Sequence, residues 1–150
     1  MSHDRENPSS GHTAPPNTSK ETIDALGKLS EALEVVEDAR GSLYRFHRLT
    51  GRADLALGEA VDMFKDAGYE DIARKVQDTM VGRNVLEGRW TFQIMEEYDD
   101  GYYKDLKTLE EEIRQQLVEG RRHLFEAQMK EDRRTHGQRH HEASPPEEPL

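Results

Sequence analysis

The sequence predicts an all-α protein: an antiparallel bundle of about four helices, three long and one short, flanked by disordered termini. Three observations carry that expectation. Apolar residues recur at intervals of three and four in successive blocks of the chain, the period of one helix face. Short turn signals separate the blocks at Thr50-Gly51, Gly68 and Asp99-Asp100-Gly101, and short connections favour antiparallel neighbours. No repeat of the length that builds solenoids is present.

The first helix is expected from about residue 20 to 49, capped by the hydroxyl of Thr18 or Ser19, which can accept from the free amides of the first turn. Its stripe is Ile23, Leu26, Leu29, Leu33, Val36, Leu43 and Phe46. Gly27 and Gly41 weaken it by roughly 1 kcal/mol each relative to alanine. Thr50-Gly51 reads as its end. A shorter helix follows from about Ala53 to Ala67, with Leu57, Ala60, Val61 and Phe64 on one face; Gly68 suits the left-handed residue past its end.

The third helix is expected from about Glu70 to Tyr98, with Ile72, Val76, Met80, Leu86, Trp90 and Ile94 as its main stripe. Gly82 and Gly88 are its weak points, and Trp90, Phe92 and Ile94 alternate as a strand would. The helical period continues on both sides of that triplet, so the helix is preferred. A second stripe, Val81, Val85, Gly88, Phe92 and Met95, lies roughly half a turn away at ~100° per residue. A helix apolar on two faces is either the centre of a bundle or a shared interface. Asp99-Asp100-Gly101 reads as a stop and restart. The last helix is expected from about Tyr102 to Arg134, with Val118, Phe125 and Met129 on a face away from its main stripe.

Met1 to Ser19 and Gln138 to Leu150 are polar and rich in Ser, Pro, Gly and His. Such segments bury too little apolar surface to offset their ordering entropy. The expected organisation is therefore a disordered tail over 1–19, a helical domain over 20–137 and a disordered tail over 138–150.

The formal net charge is -10, so a duplex nucleic acid, which needs clustered cations, is not an expected partner. Mean hydropathy is -0.99, and no run approaches the ~20 apolar residues of a membrane span. No apolar leader is evident at the N-terminus. A cytoplasmic protein without membrane partners is expected. With no cysteine, disulfides, thiolate metal sites and cysteine nucleophiles are excluded.

Some polar residues fall inside apolar arcs. Arg40 and His47 do so on the first helix; Arg83 and Glu87, four apart and able to pair, do so on the third. Unpaired buried charge is costly, so these groups should meet each other or reach water. With Trp90 one turn from Glu87, they form a candidate interior binding cluster: Arg40, His47, Arg83, Glu87 and Trp90. Glu119 and His123 stand four apart and read as a surface ion pair. His136, His140 and His141 cluster in the polar tail. Arg121-Arg122 and Arg133-Arg134 read as surface pairs. No phosphate loop, Gly-x-Ser-x-Gly elbow or His-Glu-x-x-His helix occurs, so no catalytic residue, metal or cofactor is expected.

The last helix is acidic from Glu96 to Glu119 and basic from Gly120 to Arg139. That order complements a helix dipole, or would let two copies align antiparallel.

Two resemblances bear on these residues. The pairs in Glu34-Val35-Val36-Glu37 and Glu59-Ala60-Val61-Asp62 resemble the Glu-x-x-Glu and Glu-x-x-Asp motifs of MazG-like nucleotide pyrophosphohydrolases. The resemblance implies an all-α enzyme holding magnesium on those carboxylates. On the helical wheel, however, Glu59 and Asp62 project away from Leu57, Val61 and Phe64. Val81–Tyr103 and Glu119–Gly137 are similar to segments of small uncharacterised all-α proteins of actinobacteria. This second resemblance implies no activity.

The reading preferred on the sequence is a non-catalytic helical protein that self-associates as a homodimer or binds another helical protein. Its expected interface is Val81, Val85, Gly88, Phe92, Met95, Val118, Phe125 and Met129. A small-ligand-binding bundle is the further alternative to the pyrophosphohydrolase.

Overall fold

The computed structural model describes residues 6–145. Among them the protein is all-α. The helices are α1 (Lys20–Asp66), α2 (Glu70–Thr79), α3 (Thr91–Tyr98), α4 (Lys104–Val118) and α5 (Leu124–Arg133). A short 3-10 turn at Ser10–His12 precedes α1, and a π-helical turn at Asp99–Tyr103 joins α3 to α4. The only strand-like pairing among the described residues is a single one between Leu86 and Arg89. Disorder expected at 1–5 and 146–150 concerns residues outside those described.

Helices end at Asp66, Tyr98 and Arg133, close to where three of the four ends are expected; the differences lie between those points. Ser19 caps α1, its hydroxyl accepting from the Thr22 amide at 3.1 Å. The expected break at Thr50-Gly51 is absent, and α1 runs on for 47 residues. Thr50 turns its hydroxyl back onto the Phe46 carbonyl at 2.7 Å, a bond made inside a helix, and no proline interrupts residues 20–66. Gly68, at φ +89°, closes α1 as its position suggests, with the Tyr69 amide bonded back to the Phe64 carbonyl at 2.8 Å.

The single helix expected over 70–98 is overturned. It splits into α2 and α3 around a loop in which Gly82 and Gly88 adopt φ +73° and +70°. These left-handed values are incompatible with α-helix. The two stripes drawn along 81–103 therefore do not lie on one helix. Asp99-Asp100-Gly101 is not a stop either: the chain passes through the π-helical turn, with the Lys104 amide reaching back to the Asp99 carbonyl. The last helix breaks instead at residues 119–123, where Glu119 and His123 both sit at φ 57° and Gly120 at φ +77°. Arg114 secures this end by donating to the Gly120 carbonyl at 2.7 Å. α4 and α5 are thus separate helices, which removes the single acid-to-base helix on which an antiparallel alignment was drawn.

The chain divides into two compact units. Unit 1 comprises the residues up to Glu34 and those from Leu106 onward; unit 2 is Val35–Asp105. In unit 1, Leu26, Val118 and Leu124 form a buried cluster with Ala14, Ile23 and Ile113 packed against it. The Phe125 ring lies so close to α1 that a Cβ on Gly27 would stand 3.0 Å from it. In unit 2, Val61 and Ala73 are the buried apolar residues.

Among the described residues of unit 1, two charged side chains are buried, and both are satisfied. Glu110 is buried, accepting from Ser30 at 3.3 Å and from Arg114 Nε at 3.1 Å. Arg134, read from the sequence as half of a surface pair, has a side chain only 1% exposed. Its Nε donates to Glu131 at 2.7 Å, and its Nη atoms donate to the Glu6 carboxylate at 2.9 Å, the Glu6 carbonyl at 2.6 Å and the His141 carbonyl at 3.2 Å. One guanidinium thereby gathers residues from both polar tails, and the N-terminal one also packs Ala14 against the core.

Candidate functional site

Unit 2 holds the five residues of the sequence-derived polar cluster, and it distributes them over three places. Arg40 occupies the first. On the middle of α1 it forks onto Asp99, with Nε 2.7 Å from Oδ1 and Nη2 3.2 Å from Oδ2. The Tyr44 hydroxyl donates to Asp99 Oδ2 at 2.5 Å and accepts from Arg40 Nη2 at 3.1 Å. The guanidinium carbon lies 4.9 Å from the Tyr44 ring centre and 4.6 Å from that of Tyr103, within cation–π range. Tyr103 in turn donates to Glu37 at 2.6 Å.

The π-helical turn makes this arrangement possible. Its extra residue shifts the register of the helical run, and the turn itself carries both Asp99 and Tyr103. Asp99 is spent on Arg40 and Tyr44, which is why it caps no new helix. The Arg40 guanidinium, and then the Tyr44 hydroxyl, hold the Asp99 carboxyl below its ordinary range. The Asp99 carboxylate pushes the Tyr44 phenol up, and the Glu37 carboxylate does the same to Tyr103. Every change favours the protonation state already present at neutral pH. The arrangement clamps α1 to the π-helical turn.

His47 occupies the second place, one face along α1, with Nδ1 2.7 Å from the Thr91 hydroxyl at the start of α3. The third is the loop between α2 and α3. Asp54 anchors it by accepting from the Gly82 amide at 2.8 Å. Gly88 supplies the left-handed residue of a tight turn closed by the Arg89 amide on the Leu86 carbonyl at 3.1 Å. Arg83 and Glu87, expected to pair across one helical turn, form no ion pair among the described residues, because the helix that would space them is absent. Arg83 lies against Met80 Sδ, and Arg89, not Arg83, takes an acidic partner, Glu97.

This loop and α1 enclose a groove of about 560 Å³ lined by Asp54, Leu57, Met80, Arg83, Val85 and Trp90 among others. Trp90 is 55% exposed there and packs edge-on to Phe92 at 5.1 Å between ring centres. Of the expected interface residues, Val85, Gly88 and Phe92 are exposed in unit 2, while Val81 and Met95 are half-buried. In unit 1, Phe125 and Met129 are exposed, but Val118 is fully buried. Its placement on an outer face is corrected: the break after α4 turns Val118 into the core beside Leu26 and Leu124.

The remaining constellations disperse. Glu119 pairs with Arg121 and His123 approaches Glu126 at 3.9 Å, so the two do not pair with each other. His136 bonds Glu131 at 2.7 Å, and His141 accepts from the Thr135 amide at 3.2 Å. Glu37 and Glu59 both lie on α1, 22 residues apart, or ~33 Å at 1.5 Å per residue. The carboxylates of the pyrophosphohydrolase-like motifs therefore do not converge on one ion. Among the described residues no group of three or more His, Asp or Glu is placed to hold a metal, and no helix is long and apolar enough to cross a membrane.

Sequence reasoning missed Asp99, Tyr44 and Tyr103 as the partners of Arg40, and it missed Asp54. It also missed an exposed apolar line along α1, because that line straddles the residues read as a helix end. The three-and-four spacing of apolar residues continued across Thr50-Gly51 was the signal that could have found it. Compared with known proteins, the chain matches no family model, no curated protein and no solved structure.

Proposed function

We propose that this protein is a non-catalytic helical interaction protein that works as a homodimer, with unit 2 supplying the contact surface. One observation carries the reading. Among the described residues of unit 2, fourteen large apolar side chains are exposed, from Val35 on α1 to Tyr102 in the π-helical turn, against only Val61 and Ala73 buried. Monomeric proteins rarely leave large contiguous apolar patches uncovered, and Trp and Tyr are residues that anchor protein contacts. The polar groups support the same reading. Arg40, Asp99 and Tyr44 satisfy one another, and no buried side-chain nitrogen or oxygen among the described residues lacks a partner.

Sedimentation equilibrium through the micromolar range should give about twice the 17.3 kDa chain mass. A single species at the chain mass across that range would overturn the reading.

A further inference from the structure

We propose that the homodimer forms along α1 itself, two copies lying antiparallel on one apolar seam; this inference rests on the self-association reading above. The unit 2 portion of α1 has an inner face, where Val61 is buried and Arg40, Tyr44 and His47 meet Asp99 and Thr91. About a third of a turn away at ~100° per residue runs a second line: Phe46, Leu49, Ala53, Leu57, Ala60 and Phe64. Its steps are three and four residues, averaging one helical turn, so the line follows the helix axis for ~27 Å. Phe46, Leu49 and Phe64 are 44%, 46% and 37% exposed, although each is a residue that cores normally take. Ala53 and Leu57 also line the groove below Trp90, so seam and groove wall form one continuous surface.

The seam is complementary to itself. With a second α1 antiparallel and the midpoint near residue 55, Phe46 faces Phe64 of the second copy. Leu49 then faces Ala60, and Ala53 faces Leu57. The inner layers each set a large side chain against a small one, the condition for interdigitation. The charges agree with this register. Arg52 and Glu59 are one heptad apart on the same flank of the seam, so each meets the opposite charge of the other copy, twice per dimer. Neither makes an ion pair within the chain among the described residues. A parallel pair would instead stack Ala53 on Ala53, leaving a gap, and would not bring Arg52 to Glu59. The antiparallel arrangement is two-fold and closed, which yields a dimer and not a fibre.

Charge exchange in the full-length protein tests the register. Arg52→Glu alone and Glu59→Arg alone each create two like-charge contacts and should raise the dimer dissociation constant about tenfold. An equimolar mixture of the two variants should restore wild-type affinity as a heterodimer. Leu49→Asp, on the seam itself, should raise the constant at least about a hundredfold, with circular dichroism confirming that the helices persist. Wild-type protein that is monomeric overturns the self-association reading and the seam with it. A wild-type dimer whose affinity none of the three variants changes leaves self-association standing and overturns the seam. Charge variants that weaken the dimer but are not rescued by mixing overturn the antiparallel register.

Discussion

Unit 1 closes a small core of Leu26, Val118 and Leu124 and buries the charged side chains of Glu110 and Arg134. Unit 2 buries Val61 and Ala73 and leaves most of its large apolar side chains outside. Unit 1 exposes only four of that kind among the described residues: Leu109, Leu117, Phe125 and Met129. The polar groups do not differ in this way. In unit 1 they knit residues distant in sequence, as Arg134 does with Glu6 and Ser30 with Glu110; in unit 2 Arg40 and Asp99 clamp α1 to the π-helical turn. Both polar networks are internally complete, so the difference lies in the apolar surface. A unit that buries its own apolar groups owes its stability to one chain, whereas a unit that exposes them should gain stability with protein concentration.

The largest expected effect breaks this contrast if it fails. Leu26→Ala should cost about 2–5 kcal/mol at any concentration, because it opens a cavity beside Val118 and Leu124. Phe46→Ala, on exposed surface, should cost within about 0.5 kcal/mol in dilute protein and more as concentration rises. Equal, concentration-independent losses in urea denaturation would erase the distinction between the units.

A smaller effect separates two glycines of the same helix. Nothing lies near a Cβ added to Gly41, whereas one added to Gly27 stands 3.0 Å from Phe125. Gly41→Ala should stabilise by about 0.5–1 kcal/mol from helix propensity. Gly27→Ala should fall short of that gain by about 1 kcal/mol, as the crowding of Phe125 offsets it. Thermal melts of both variants side by side read the difference; equal gains would show that Phe125 does not hold its place against α1.

Acid sharpens the comparison least but locates it. The Arg134 guanidinium, assisted by His136, brings the Glu131 carboxyl down to about 2 from its ordinary 4.5. The charged form is thus favoured by folding, so the contribution is fully present above pH 4.5 and is lost as pH falls toward 2. Asp99 in unit 2 is lowered from 3.8 by Arg40 and Tyr44, so its contribution fades only below about pH 3.8. Urea midpoints should therefore begin to fall below about pH 4.5. Glu6 is held below 4.5 by the same guanidinium and acts in the same range, so Glu131→Gln should make the first part of that slope shallower and Asp99→Asn the later part. A Glu131→Gln profile that still tracks the wild type between pH 4.5 and 3.8 would disprove the assignment.

Much of the helical content was legible in the sequence, because three-and-four spacing reports a face whatever that face meets. The cap at Ser19 and the end at Gly68 were legible too, since a hydroxyl before a helix and a glycine after one act locally. Arg40 and His47, read as polar residues in an apolar arc, are half-buried. Their partners were not legible: Asp99 and Thr91 are 59 and 44 residues away. Where one glycine bends the chain and another does not was likewise hidden. Gly51 stays helical within α1, while Gly82 and Gly88 take positive φ, and the residue type is the same in each case.

Taken alone, then, the sequence determined the class of the fold. An acidic, cysteine-free chain with helical periodicity and turn-forming glycines leaves few other solutions, and those signals act over one or two helical turns. Tertiary structure decided which glycines break a helix, that Val118 and Arg134 turn inward, and that Thr50-Gly51 is crossed without interruption. It also moved the two-faced helix from 81–103 to α1. The reason is one of range: a helical wheel orders residues around a single axis, but which face is covered depends on contacts made by chain tens of residues away.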